Sequence, residues 1–357
     1  MISPQTVFVA AAAAASVVHT AQAFLPPSTP LRSSLMAVKT GRPAHRFATS
    51  GSKRTVPMMQ SLAIHAPVAS VIEESPYSPG PTYTFSSGLK LNLFGLYYGF
   101  VSIGLGLMWW TALTVVQFLL WAGKIVTFGK GVDKNRRMAI WVSHVWAVFV
   151  LIFSNCWPKI RGRENLRSIY DKNIPAMYVA NHCSWMDIPF LAMSIGWRNY
   201  KIVSKQELLK VPILHKALKV SDHVILDRTS RRSQLETYKK GVAWLKNGVN
   251  LCTFPEGTRS EDGKLGTFKR GAFKMAQAVG VPIVPVSIRY AHLMNPKDWV
   301  FPFRSGGSIP VDVILGKPIP TEGKSDDELM KEVREALIAE LPECQKPLPD
   351  SPTVDLD

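Results

Sequence analysis

The chain has 357 residues, room for one large domain with appendages, and an ordinary globular composition. Its formal net charge of +16 points to anionic partners, but no basic run is interleaved with aromatics as a nucleic-acid motif would be, and long apolar stretches favour a membrane instead. The four cysteines (Cys156, Cys183, Cys252, Cys344) form no C-x-x-C pair, which argues against a disulfide framework or a zinc site and reads as reduced thiols.

At the front, residues 7–18 (VFVAAAAAASVV) are apolar but too short to span a bilayer as a helix. Ala21-Gln22-Ala23 follows, a small-x-small cleavage pattern. This predicts a signal peptide over 1–23, although no Lys or Arg precedes the apolar block. Residues 24–72 are rich in Ser, Thr, Pro and basic side chains, and the first acidic residue of the chain is Glu73. That is transit-peptide composition. With Phe24 at the junction AQAFLP, the leader resembles the bipartite plastid-targeting leaders of diatoms and related algae. The competing reading is a plain secreted protein with a linker.

Between Lys90 and Lys124 no residue is charged, a run long enough for a bilayer core of ~30 Å. Its glycines (Gly95, Gly99, Gly104, Gly106) allow close helix packing or a break, and Trp109, Trp110 and Trp121 suit an interface. A second uncharged run lies between Arg137 and Lys159. Two arrangements fit: a two-span hairpin, or a pair of helices dipping into one leaflet. The positive-inside rule does not choose, because the joining loop and the segment after Trp157 are both basic. His144, inside the second run, reads as an interior histidine with a satisfied ring rather than a catalytic one.

From about Trp157 to Leu341 short β-type runs alternate with amphipathic stretches. Strands are expected at 176–180, 223–227, 251–254, 283–288 and 311–315. Helices are expected at 187–195, 205–218, 231–246, 270–279 and 326–341, the last opened by a Ser325/Glu328 capping box. The alternation predicts an α/β layer architecture with active residues on loops at strand ends. The run VPIVPV (281–286), with two prolines, predicts a rigid wall or an edge strand.

NHCSWMD (181–187) begins where strand 176–180 ends. Imidazole suits proton transfer near neutral pH, and an aspartate one turn away fixes its tautomer. One reading is a His182–Asp187 dyad acting as general base. The other is structural, with Ser184 as N-cap and Asp187 in the first turn. Both can hold at once. After strand 251–254 comes FPEGTRS: Gly257 permits a turn whose N–H groups approach an anion, and Arg259 can grip phosphate. DHVILDR (222–228) ends another strand with Asp227-Arg228, and Lys269-Arg270 add cation at a helix start.

In this order, NH-x-S-x-x-D, LDR, FPEGTRS and VPIVPV resemble the 1-acylglycerol-3-phosphate acyltransferase family of the glycerophospholipid acyltransferases, over roughly residues 140–320. The resemblance implies the family's α/β layered sheet with helices, preceded by an N-terminal membrane helical hairpin. It implies that His182 deprotonates a glycerol hydroxyl and that Asp187 orients it. It places Glu256, Gly257, Thr258 and Arg259 at the acceptor phosphate, with Arg228 and Lys205 assisting. The family's second block usually opens with glycine where Asp222 stands here, which puts the acceptor's identity in doubt. The implied reaction is acyl transfer from acyl-CoA or acyl carrier protein to the sn-2 hydroxyl of lysophosphatidic acid, with no metal or cofactor. Glycerol 3-phosphate or another lysophospholipid, such as lysophosphatidylglycerol, is the alternative acceptor. A non-catalytic lipid-binding protein would predict an eroded dyad, and a hydrolase would release fatty acid. A thiol mechanism through Cys183 is not what the family uses. Implied partners are membrane lipids, the acyl donor and lysophosphatidic acid, without nucleic acid, at a plastid membrane. The chain then divides into a signal peptide (1–23), a transit peptide (24–72), a membrane-anchoring segment (73–158), an acyltransferase domain (159–341) and a mobile tail (342–357).

Overall fold

The computed structural model describes residues 80–348, apart from 297, 303, 305–308 and 310. The expected signal and transit peptides lie outside the described residues.

Strands β1 (Thr82–Thr84) and β2 (Lys90–Asn92) pair antiparallel and feed helix α1 (Leu93–Val126), which the Asn92 side chain caps by accepting from Gly95 N at 2.8 Å. Helix α2 (Arg137–Phe153) packs on α1, with the indoles of Trp109 and Trp146 stacked at 4.2 Å. The residues of α1 that are buried, among them Tyr98, Gly99, Trp109, Leu113 and Val116, recur at helical spacing and form one face. Gly99 is needed there, because a Cβ at that position would stand 2.6 Å from the Phe301 ring. Gly95, Gly99 and Gly106 therefore serve close packing, whereas Gly104 faces open space, and α1 runs unbroken. Trp109 is buried, with its indole donating to Ser143 Oγ, so it is not the interface residue the sequence suggested; Trp110 and Trp121 are exposed.

The remainder alternates strand and helix: β3 (Lys159–Arg161), α3 (Arg167–Asp171), β4 (Met177–Ala180), α4 (Asp187–Ile195), β5 (Tyr200–Lys205), α5 (Pro212–Val220), β6 (Val224–Leu226), α6 (Arg231–Lys246), β7 (Asn250–Thr253), α7 (Gly271–Gln277), β8 (Ile283–Arg289), β9 (Asp312–Leu315) and α8 (Asp326–Glu340). The expected capping box at Ser325/Glu328 is present. Seven strands form one sheet in the order β3–β9–β8–β4–β7–β5–β6. It is parallel from β8 to β6, whereas β9 runs antiparallel to β8.

The sheet is buried on both faces, as a parallel sheet requires. Along β4, Tyr178 and Ala180 face a core shared with Phe190, Ile140 and Tyr98. Met177 and Val179 face the other core, with Trp244, Phe273 and Leu337. Tyr98 and Ile140 come from the helical hairpin, so that segment shares a core with the α/β part rather than forming a domain of its own.

Three expectations need correction. The helix expected over 205–218 is instead the end of β5, a 3-10 turn (Gln206–Lys210) and α5, which Pro212 starts. β5 escaped the sequence reading because Lys201, Ser204 and Lys205 interrupt its apolar pattern. The VPIVPV strand is not an edge strand, since β8 lies between β4 and β9. Pro285 is tolerated because pairing with β9 begins only at Val286↔Leu315, so its missing N–H removes no ladder bond. The tail is not mobile from 342: Gln345 is fully buried.

Candidate active site

In the order β4–β7–β5–β6, four adjacent parallel strands end on the same edge of the sheet. Their carboxyl ends carry His182, the 254–260 loop, Lys205 and Arg228. Segments far apart in sequence are thus brought around one cleft of about 1120 Å³. Ligands in open α/β sheets bind at this edge.

Asp187, at the start of α4, is completely buried. A buried carboxylate is costly unless its oxygens are bonded. Here Oδ2 accepts from Cys183 N and Ser184 N at 2.8 Å and stands 2.7 Å from His182 Nδ1. A carboxylate only accepts, so Nδ1 carries the hydrogen and Nε2 keeps the lone pair a base needs. Ser184 Oγ in turn accepts from Met186 N at 3.2 Å. Asp187 does stand in the first turn of α4, but the helix's N-cap is Met186, with no side-chain cap bond, so Ser184 is not the N-cap the sequence suggested. The His182 ring stacks on Phe254 at 4.1 Å, its side chain is 18% exposed, and it lines the cleft.

Lys205, Arg228, Gly257, Thr258 and Arg259 also line the cleft. Burial, and then the neighbouring Arg228 and Arg259 guanidiniums, hold the Lys205 ammonium below the usual lysine range. Among the described residues no carboxylate lies within ion-pair distance of Lys205, Arg228 or Arg259, so a bound anion would relieve their mutual repulsion. Asp227 is occupied locally, its Oδ1 accepting from Thr229 N and Oγ. Gly257 has φ +73°, and a Cβ there would stand 2.6 Å from Arg228 Nη2. Its carbonyl accepts from the Arg228 guanidinium. Apolar side chains, including Ile188, Val203, Leu226 and Met275, complete the walls.

Glu256, expected at the phosphate, turns inward. Its Oε1 accepts from His182 N and its Oε2 from Gly266 N, each at 2.8 Å. Burial pushes its carboxyl up to about 7, with the Asp187 charge adding to the rise. Its place is to tie the 254–266 loop to the histidine's backbone. Ser260 N donates to His182 O at 2.8 Å from the other side.

Asp222 sits at the opposite edge of the sheet, before β6, at φ +54°. That conformation favours glycine and is tolerated by aspartate. Its carboxylate pairs with Lys240 at 2.6 Å, so it faces away from the cleft. Cys183 is buried beside Asp187, and burial pushes its thiol well up, which leaves no thiolate for nucleophilic attack. His144 is buried against Trp197, with its ring bonded to the Ala192 backbone and only Nδ1 without a partner, and does not line the cleft.

The Acyltransferase family model matches residues 158–289. A chloroplastic 1-acyl-sn-glycerol-3-phosphate acyltransferase of Arabidopsis thaliana is 30% identical over 290 residues, 81% of this chain and 75% of that protein. The 1-acyl-sn-glycerol-3-phosphate acyltransferase of Chlamydomonas reinhardtii is 30% identical over 307 residues, 84% of each chain. The chain belongs to the 1-acyl-sn-glycerol-3-phosphate acyltransferase family. Among solved structures, the 1-acyl-sn-glycerophosphate (LPA) acyltransferase PlsC of Thermotoga maritima is 28% identical, covering 66% of this chain and 92% of that one with a TM-score of 0.49.

In this acyltransferase, sequence reading missed three residues beside the site. Phe254 opens the FPEGTRS block, and its apolar ring carries no sequence signal of the stacking on His182 that it provides. Asn181 stands next to His182 in the quoted motif, and its buried amide holds β8 by accepting from Ile288 N at 2.7 Å. Gln345 lies in a segment whose prolines and acidic residues gave no signal of burial.

Proposed function

We propose that this chain transfers a fatty acyl group from an acyl thioester to the sn-2 hydroxyl of lysophosphatidic acid, forming phosphatidic acid. The observation that carries the reading is the cleft itself: a His182–Asp187 pair beside three cations, Lys205, Arg228 and Arg259, that among the described residues have no carboxylate partner. The cations and the Gly257–Thr258 turn bind the acceptor phosphate. His182 Nε2 takes the hydroxyl proton as the oxygen attacks the thioester carbonyl. The C–S bond breaks, and the imidazolium returns the proton to the departing thiolate. Asp187 stabilises the imidazolium meanwhile. The apolar walls take the acyl chain.

The donor is acyl-CoA or acyl carrier protein; the latter is acidic and suits a basic surface. The helical hairpin anchors the enzyme. α1 is long and apolar enough to cross a membrane, and α2 is shorter. Phe100, Leu107, Phe118, Trp121, Ile125 and Phe149 form apolar surface on the hairpin that no other described residue covers. A plastid membrane, with the envelope as its site, fits the leader composition and the chloroplastic Arabidopsis relative. A reporter fused behind residues 1–72 tests it; cytosolic or secreted fluorescence refutes plastid import.

The activity is tested by offering lysophosphatidic acid and glycerol 3-phosphate together to the purified protein in detergent with labelled acyl donor. Labelled phosphatidic acid is expected. Labelled lysophosphatidic acid as main product would assign the first acylation instead. Free fatty acid alone would exclude a transferase.

A further inference from the structure

The family match ends at residue 289, yet the chain returns to the active site after that point. Gln345, in a short 3-10 turn (Glu343–Gln345) behind α8, is fully buried and spends its polar atoms on two separate segments, 288–290 and the loop at 265. Its Oε1 accepts from Tyr290 N at 2.7 Å, and its Nε2 donates to Ile288 O at 3.2 Å. Its backbone carbonyl accepts from Leu265 N at 2.9 Å.

These bonds close a ring. Ile288 exchanges two bonds with the Asn181 amide, at 2.7 and 2.9 Å, and Asn181 is covalently joined to His182. His182 N donates to Glu256, and the second Glu256 oxygen holds Gly266 N, next to Leu265. Leu265 N leads back to Gln345. Arg334 of α8 steadies the same arc by donating to Gly266 O, and it is itself buried. Asn181, Glu256 and Gln345 are all buried, so no water replaces a lost partner without cost.

We propose that Gln345 is a positioning residue for acyl transfer: it closes the buried ring that fixes the backbone at Asn181–His182 and thereby holds the imidazole on Asp187. The proposal rests on the acyltransferase reading above. The ring reaches His182 through its backbone and does not include Lys205 or Arg228, which hold the acceptor from β5 and β6. Loosening it therefore misplaces the base, and because the ring also ties the loop that carries Arg259, part of the acceptor grip goes with it while Lys205 and Arg228 keep theirs. A misplacement of this kind costs up to about 100-fold in rate.

The test uses the full chain in detergent with Gln345→Ala and Gln345→Glu. For Gln345→Ala, kcat should fall about 10- to 100-fold, at a temperature where the variant is fully folded, with acceptor KM rising by a smaller factor than kcat falls and by less than in Arg259→Ala. Gln345→Glu keeps the acceptor facing Tyr290 N but sets a carboxylate against Ile288 O. Protonation restores a donor there, so its kcat relative to wild type should rise as pH falls. Hydrogen–deuterium exchange should quicken at residues 181–187 and 256–266 in the Gln345→Ala protein. A kcat within about twofold of wild type, or a loss that tracks only the unfolded fraction, would overturn the proposal. If the wild-type chain moves no acyl group to lysophosphatidic acid, the proposed function has failed. The exchange measurement then decides the ring alone: quicker exchange at 181–187 supports it, and unchanged exchange refutes it.

Discussion

The two ends of the sheet gather similar cations and use them differently. At the carboxyl ends, Lys205, Arg228 and Arg259 border an open cleft, with no carboxylate partner among the described residues. At the amino ends, Lys201 is fully buried on β5, donates to Asn135 O at 2.8 Å and lies over the Trp244 ring. Lys240 is paired with Asp222, and buried His223 accepts from Ile202 N with its Nδ1. One end keeps its positive charge available to a ligand; the other spends it inside the fold. A count of basic residues does not distinguish them. What distinguishes them is whether partner groups and packed side chains reach the cation before a ligand does.

The largest break in this comparison comes at the cleft. His182→Ala should lower kcat by about 10²- to 10⁴-fold, the share a general base supplies, while the thermal transition stays near wild type. Near-normal turnover would remove the dyad from the mechanism. Arg259→Ala should raise acceptor KM about 10- to 100-fold, the loss expected for a charge-assisted bond to phosphate. An unchanged KM would take Arg259 out of the acceptor site.

At the other end the expected readout is stability. Burial lowers Lys201 to about 7, so between about pH 7 and its ordinary value of 10.5 the unfolded chain binds more protons than the folded one. Stability from this group therefore rises with pH across that window and is lowest below it. Lys201→Met should flatten that rise in denaturant titrations, with kcat and acceptor KM unchanged. A slope identical to wild type would mean that Lys201 keeps its ordinary proton affinity. The smallest effect belongs to Asp222→Gly. The backbone there already has φ +54°, and the carboxylate faces Lys240, so acceptor KM should stay within about twofold. A large drop in KM would show that the carboxylate does repel the acceptor phosphate.

Much of the site was legible because its residues fall in short blocks. NHCSWMD holds both members of the dyad, since a base and its orienting carboxylate can be five positions apart when the second opens a helix. FPEGTRS was legible as a turn, but not the direction of each side chain within it. Glu256 turns inward because backbone N–H groups of His182 and Gly266 meet it there, and neither partner is near it in sequence. Lys205 was implied only by the family resemblance, and the expected helix 205–218 placed it on a helix. The strand that carries it is buried by neighbours on either side rather than marked by its own alternation. Gln345 was invisible for the same reason: its burial depends on β8 and the 265 loop, not on the residues around it.

The sequence by itself determined the alternating α/β order, the apolar hairpin, the dyad and the cationic loop blocks. These rest on hydrophobic periodicity, capping and turn chemistry, all of them local. The tertiary structure decided which strand ends meet, that Asp222 stands at the far edge, and that the tail closes onto the active site. Those outcomes depend on pairing between segments far apart in the chain, where the partners' geometry, and not the residue type, sets what each polar atom touches.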